Sequence, residues 1–149
     1  MKNTFLNHLF LAIVLLFGAG NLKSQTNDAI TGSWKTFDDE TNQPAAIVLI
    51  SEKNGLFSGV VTKLLDPSAL PTCEKCTDAR KGKSVIGMEI LTGLRKTSET
   101  YSGGKVLDPD DGETYRATIH LTDQGNKLDL RAYIGIPLLG RTQTWTRER

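Results

Sequence analysis

Cysteine and histidine are scarce in this chain, with two of each in 149 residues. A zinc centre needs about four ligands, and beyond Cys73 and Cys76 only His120 remains as a further strong one. No His follows Cys76, which excludes a c-type haem attachment box. Long apolar runs are also missing. The longest, Leu9 to Phe17, falls well short of the ~20 residues that a membrane-spanning helix requires. Excess charge of either sign is absent, at a formal net charge of +1. The chain therefore carries neither the electrostatic footprint of a nucleic-acid binder nor a basic amphipathic helix for a membrane surface. No internal repeat, low-complexity linker or sustained helical period is found beyond the N-terminal run.

The N-terminus has the order of a secretory signal. Lys2 supplies the positive end, Leu9 to Phe17 the apolar segment, and Gly18-Ala19-Gly20 the small residues a peptidase accepts, before the mostly polar Asn21 to Thr26. Residues 1–24 are read as this signal, cut somewhere in 18–25. No Cys closely follows the apolar run, so a lipid anchor is not expected. Of the 18 basic side chains, Lys2 and Lys23 leave with the signal, so 16 face 17 acidic ones in the mature region. Residues 25–149 have the size of one domain with one core.

The mature region reads as short β segments separated by turn chemistry. Strands are expected at 30–37, 45–52, 57–64, 85–95, 101–107, 114–121, 127–134 and 141–147. Asn54-Gly55 marks a hairpin, because both residues accept the positive φ of such turns. Asp66-Pro67 ends a strand, and 66–84 forms a long loop holding both cysteines. Tyr115, Ala117, Ile119 and Leu121 alternate with Thr114, Arg116, Thr118 and His120; Leu128, Leu130, Ala132 and Ile134 share a face of the next strand. About eight strands, mostly joined by short connections, predict an all-β, up-and-down antiparallel barrel in which the last strand closes on the first.

Gly32-Ser33-Trp34 on the first strand resembles the opening strand of lipocalin-like (calycin-like) barrels, which carry Gly-x-Trp with an Arg from the chain's end over the indole. Arg141 and Arg147 are the candidates for that Arg. A more specific resemblance lies in the segment from Ser102-Gly103-Gly104-Lys105 through Leu107-Asp108-Pro109-Asp110-Asp111-Gly112-Glu113-Thr114-Tyr115. It continues in Leu130 to Pro137 and in Gly140-Arg141-Thr142-Gln143-Thr144-Trp145-Thr146-Arg147. Together these resemble the exported bacterial family catalogued as domain of unknown function 2147, over Ile30 to Arg147. The loop Cys73-x-x-Cys76, followed by Gly82, Lys83 and Gly87, resembles one branch of it, and Ala132 stands where its pattern has Gly. The resemblance implies an exported β-barrel and brings no activity, substrate or catalytic residue.

In an oxidising compartment Cys73 and Cys76 are expected to form a disulfide. A redox role would need the first Cys at a helix N-terminus, and the residues around it offer none. Asp108, Asp110, Asp111 and Glu113 lack the spacing of a helix–loop–helix calcium site and read as a solvated turn. His120 falls on a polar face with no nucleophile in a recognised motif nearby. No catalytic constellation is found, so the chain is read as a non-enzyme with no cofactor and no metal. On the last strand Thr142, Thr144 and Thr146 suit solvent, which turns Arg141, Gln143, Trp145 and Arg147 inward. Arg141 then either stacks on Trp34 or faces a polar cavity able to receive an anion, as a last-strand Arg does in fatty-acid-binding barrels.

Two functions remain open. One is a barrel binding a small, partly apolar or acidic ligand through Trp34, Arg141, Gln143 and Trp145. The alternative is a structural or interaction module of the cell envelope with a filled barrel, to which the two apolar faces of Ala45 to Ile50 would lend a docking surface. Neither involves nucleic acid or membrane insertion after signal cleavage, and the oligomeric state is left open. The mature protein should begin between Ala19 and Asn27 and be found in the periplasm or secreted. Intact mass of the native protein checks this, and Met1 retained on an exported chain would contradict it.

Overall fold

The computed structural model describes residues 28–149, so the expected signal segment lies outside the described residues. Eight strands follow: β1 (Gly32–Phe37), β2 (Pro44–Lys53), β3 (Leu56–Leu64), β4 (Glu89–Thr97), β5 (Thr100–Leu107), β6 (Thr114–Thr122), β7 (Lys127–Tyr133) and β8 (Arg141–Arg147). Each runs antiparallel to the next, and β8 returns to β1 through Trp34 opposite Arg147 and Lys35 opposite Thr146, so the sheet is a closed barrel. Asn54 and Gly55 take φ of 55° and 76°, the left-handed geometry a two-residue hairpin needs. Because the strands run up and down, connections after odd-numbered strands collect at one end and those after even-numbered strands at the other.

Most strand boundaries fall within two residues of the expectation or match it, and three of the differences have a clear local reason. Ile30 and Thr31 do not belong to β1, yet Ile30 is fully buried as part of the plug at one barrel end. Residues 85–88 are not strand. Gly87 takes φ of 87° and donates its N–H to Val61 O, while the Met88 N–H closes a turn on Val85 O. Ile134 lies beyond β7 and is 66% exposed, because the chain bends at Gly135, φ 76°. In β2, Val48 and Ile50 point into the barrel; on the outer face Ile47 is covered and Leu49 is exposed.

The two halves of the barrel are packed differently. At the end reached by the β2–β3, β4–β5 and β6–β7 turns, the interior is filled by Trp34, Ile50, Phe57, Leu94, Tyr101 and Leu128, all buried. Phe57 and Tyr101 meet edge to face at 5.1 Å. Gly104 is needed here for close approach, since a Cβ would lie 2.5 Å from Thr92 O and 2.6 Å from Leu94 Cγ. Below this layer Trp34 Nε1 donates to Ile30 O at 2.8 Å. The Arg147 guanidinium lies 4.2 Å from the Trp34 ring centroid and donates to Thr31 O, Ala29 O and Gly125 O. Arg147, and not Arg141, is therefore the closing arginine. It lies directly across from Trp34, whereas Arg141 sits six residues further along β8, roughly 20 Å away at ~3.3 Å per residue.

The long connection between β3 and β4 covers the opposite end. Cys73 and Cys76 are joined by a disulfide, and both are almost fully buried. The Cys73 N–H donates to Lys83 O and the Gly82 N–H to Cys73 O, which ties the loop into a small ring. That ring packs on the β5–β6 turn: Cys73 Sγ lies 3.6 Å from Pro109 O. A Cβ on Gly112 would come within 2.2 Å of Lys75 O, and its φ is 77°. The buried sulfurs and the absence of a helix at Cys73 leave the disulfide as a clamp on this turn.

Two outcomes follow from this packing. Arg147→Met should lower stability by roughly 1–3 kcal/mol, because it keeps the stem and removes the cation–π contact and three carbonyl partners. Arg141→Met should cost less than about 1 kcal/mol, as expected for a half-exposed ion pair. Thermal melts of the two variants compare them directly, and equal losses would contradict this closure. Cys73→Ala with Cys76→Ala should leave the barrel folded, with a loss well below the ~3 kcal/mol expected for a 15-residue loop. Hydrogen exchange should then quicken at residues 72–84 and 108–112 and stay unchanged in the strands.

Candidate functional site

Above the packed layer the barrel is hollow. A cavity of about 580 Å³ opens at the end carrying the β1–β2, β3–β4, β5–β6 and β7–β8 connections. Val48, Val61, Ile90, Val106 and Leu130 line its apolar part, with Trp145 beside them. All but Ile90 are the inward positions of strand alternation, so the period that fills one half of the barrel also paints the walls of the other. Ile90 precedes the inward Leu91 where the pairing of β3 with β4 shifts register.

The last strand runs the length of this cavity. Trp145 is 2% exposed and its Nε1 donates to Gln143 Oε1 at 3.1 Å. The Gln143 amide nitrogen has no hydrogen-bond partner among the described residues and is left to the cavity. Arg141 stands at the mouth. It pairs with Asp108 and, at 3.1 Å, with Asp39, and its guanidinium lies 5.4 Å from the Tyr115 ring centroid. Burial opposes the charge on Arg141, but these two carboxylates outweigh it and raise its pKa. The hydrogen bond from Tyr115 OH to Asp111, at 2.6 Å, and partial burial push that phenol up to about 12.

The expected site residues thus separate. Arg141, Gln143 and Trp145 line one cavity, while Trp34 lies outside it in the plug. Arg141 neither stacks on Trp34 nor presents an unopposed charge. Both of its carboxylate partners, Asp39 and Asp108, come from turns and not from the strands. The Asp-Pro turn is likewise more than a solvated corner, since Asp108 and Asp111 hold Arg141 and Tyr115. His120 is exposed on the outer face.

What sequence reasoning missed is the rim. Asp38, Asp39 and Glu40 from the β1–β2 turn and Asp66 after β3 face Asp108, Asp110 and Asp111 from the β5–β6 turn. These seven carboxylates share the mouth with two cations, Lys75 and Arg141. Asp38 and Asp66 cap their own turns through Thr41 and Ser68. Partial desolvation in the mouth, and then the charges of Asp108, Asp38 and Asp111, raise the Asp110 carboxyl above its ordinary value against the pull of Lys75. The readable signal was parity: both acidic turns follow odd-numbered strands and so must meet at one end. The same end carries an apolar loop in which Ile134, Ile136, Leu138 and Leu139 are each more than half exposed. Arg131 pins that loop by donating to Pro137 O and Leu138 O.

Among curated proteins, none matches this chain. Among solved structures, it is similar to protein HP1028 from the human pathogen Helicobacter pylori, which is described as belonging to the lipocalin family. The TM-score is 0.70 at 24% identity, over 80% of this chain and 83% of that one. That likeness is one of fold: a closed, eight-stranded antiparallel barrel of lipocalin type. A family model described as "Uncharacterized protein conserved in bacteria (DUF2147)" matches residues 32–147, and the chain belongs to that family.

Proposed function

We propose that this protein is an exported binding protein whose half-hollow barrel holds a small, partly apolar ligand. The cavity carries the reading. At about 580 Å³ it lies inside the ~300–1,000 Å³ range of small-molecule sites, and a barrel filled by its own side chains would leave almost none. Its apolar walls favour the body of such a ligand, and the Gln143 amide gives one polar group to orient it. An acidic ligand has less support, because Asp108 and Asp39 already meet the charge of Arg141. Export is supported by the N-terminal signal pattern and by the paired cysteines, which suit an oxidising compartment.

The alternative, an interaction module of the cell envelope, draws support from one observation. The β7–β8 loop is held with its leucines outward, which costs solvation unless something covers them. The two readings differ in what filling the cavity does. Titration with a panel of medium-chain amphiphiles should change the fluorescence of Trp145, while Trp34 is sealed in the plug. Ala132→Phe places a ring in the cavity and should abolish the change, with the melting temperature little altered because the space is empty. No titratable change in the wild type with any member would leave the interaction reading.

A further inference from the structure

The mouth of the cavity has a sign. Its seven carboxylates exceed its two cations by five charges, in a domain whose overall charge is close to neutral. The cavity beneath is walled by apolar side chains, and a low-dielectric cleft focuses such a field instead of dispersing it. Among the described residues no cluster of three or more His, Cys, Asp or Glu could hold a metal ion, so the charge is spread around the rim instead of converging on one point. A diffuse negative ring above an apolar well matches an organic cation better than a compact metal ion.

The protein already displays this chemistry on itself. The guanidinium of Arg141 sits between Asp108 and Asp39 and over the face of Tyr115, a carboxylate-and-aromatic seat for a cation. Glu40 and Asp110 have carboxylates that accept no hydrogen bond from a described residue, so they hold no turn in place and remain available to a ligand. A carboxylate ligand in the same cavity would bring its charge under this ring with its one nearby guanidinium already engaged.

Resting on the ligand-binding reading above, we propose that the cavity takes an amphipathic organic cation. Its apolar body lies against Trp145 and the aliphatic walls, and its amine or quaternary ammonium sits at the level of Glu40 and Asp110.

The test is a matched series that varies only the head group: decyltrimethylammonium, decanol and decanoate, each below its micelle-forming concentration. Binding is measured by calorimetry to the full mature protein. The ammonium should bind roughly tenfold or more tighter than decanoate, with decanol between, as expected for one well-placed charge interaction at a partly desolvated site. Raising the salt should narrow the gap, because the rim is solvent-connected. Asp110→Asn with Glu40→Gln should remove most of the preference, and thermal melts should show the double variant folded. Ala132→Phe should lose the ammonium along with the other probes. Decanoate binding as tightly as the ammonium, or tighter, would overturn this inference and leave the binding reading standing. No binding by any of the three would overturn both. Ammonium binding that survives Ala132→Phe would place the cation on the outer surface and overturn the assignment to the cavity. A preference that survives neutralising Asp110 and Glu40 would overturn the role given to the rim.

Discussion

The guanidinium of Arg147 over the indole of Trp34 determines which end of this barrel is shut. That contact joins the first strand to the last, and its hydrogen bonds to Ala29, Thr31 and Gly125 seal the chain segments crossing beneath. Once it is made, β8 has a direction. Alternation carries Trp145, Gln143 and Arg141 along one face away from the seal, so a tryptophan, an amide and a charge follow in order toward the other end. The polarity of the cavity from apolar floor to charged mouth is in this sense a consequence of where the barrel closes.

Filling one half is what allows the other to stay hollow. An empty apolar volume costs stability, because its lining loses packing partners. In the closed half Trp34, Phe57, Tyr101 and their neighbours are packed closely enough that Gly104 has no room for a Cβ. Every strand pairs with its two neighbours around the closed barrel, and β8 meets β1 only at Trp34 and Lys35, so the packed half ties together the strands that wall the hollow one. The disulfide ring acts at the far end, where no packed layer is available. It fixes the Asp108–Gly112 turn through contacts so close that position 112 accepts only glycine.

Strand existence and facing were legible in the sequence because a period of two and the turn residues are local signals. The alternation from Tyr115 to Leu121 places Ala117 and Ile119 in the core, and β8 begins and ends at Arg141 and Arg147 as read. Boundaries failed at Val85 and Ile134, where an apolar residue precedes a glycine that turns positive in φ, because hydrophobicity alone cannot distinguish a strand end from the turn that follows it. The closing arginine was left open between two candidates because both lie on the same face. Only the register of β8 against β1, a property of the closed sheet, separates them. The rim was missed because its members lie in turns far apart in sequence, each unremarkable alone.

That rim also has a cost within the fold. Like charges gathered at one mouth repel, and the raised pKa of Asp110 reflects partial desolvation first and then this repulsion. Capping bonds at Asp38 and Asp66 and the pairs of Arg141 with Asp39 and Asp108 offset part of it. The carboxylates of Glu40 and Asp110 accept no hydrogen bond and form no ion pair among the described residues, and Asp110 feels only the more distant charge of Lys75. A structural demand of the turns does not account for them, since the Asp38–Gln43 and Asp108–Glu113 turns close through backbone hydrogen bonds and the carboxylates of Asp38 and Asp108. A positive charge entering the mouth would relieve the repulsion, and any ligand that binds only the folded barrel stabilises it in proportion to the logarithm of its concentration. If the cavity takes such a ligand as proposed, stability and occupancy are coupled through the same carboxylates.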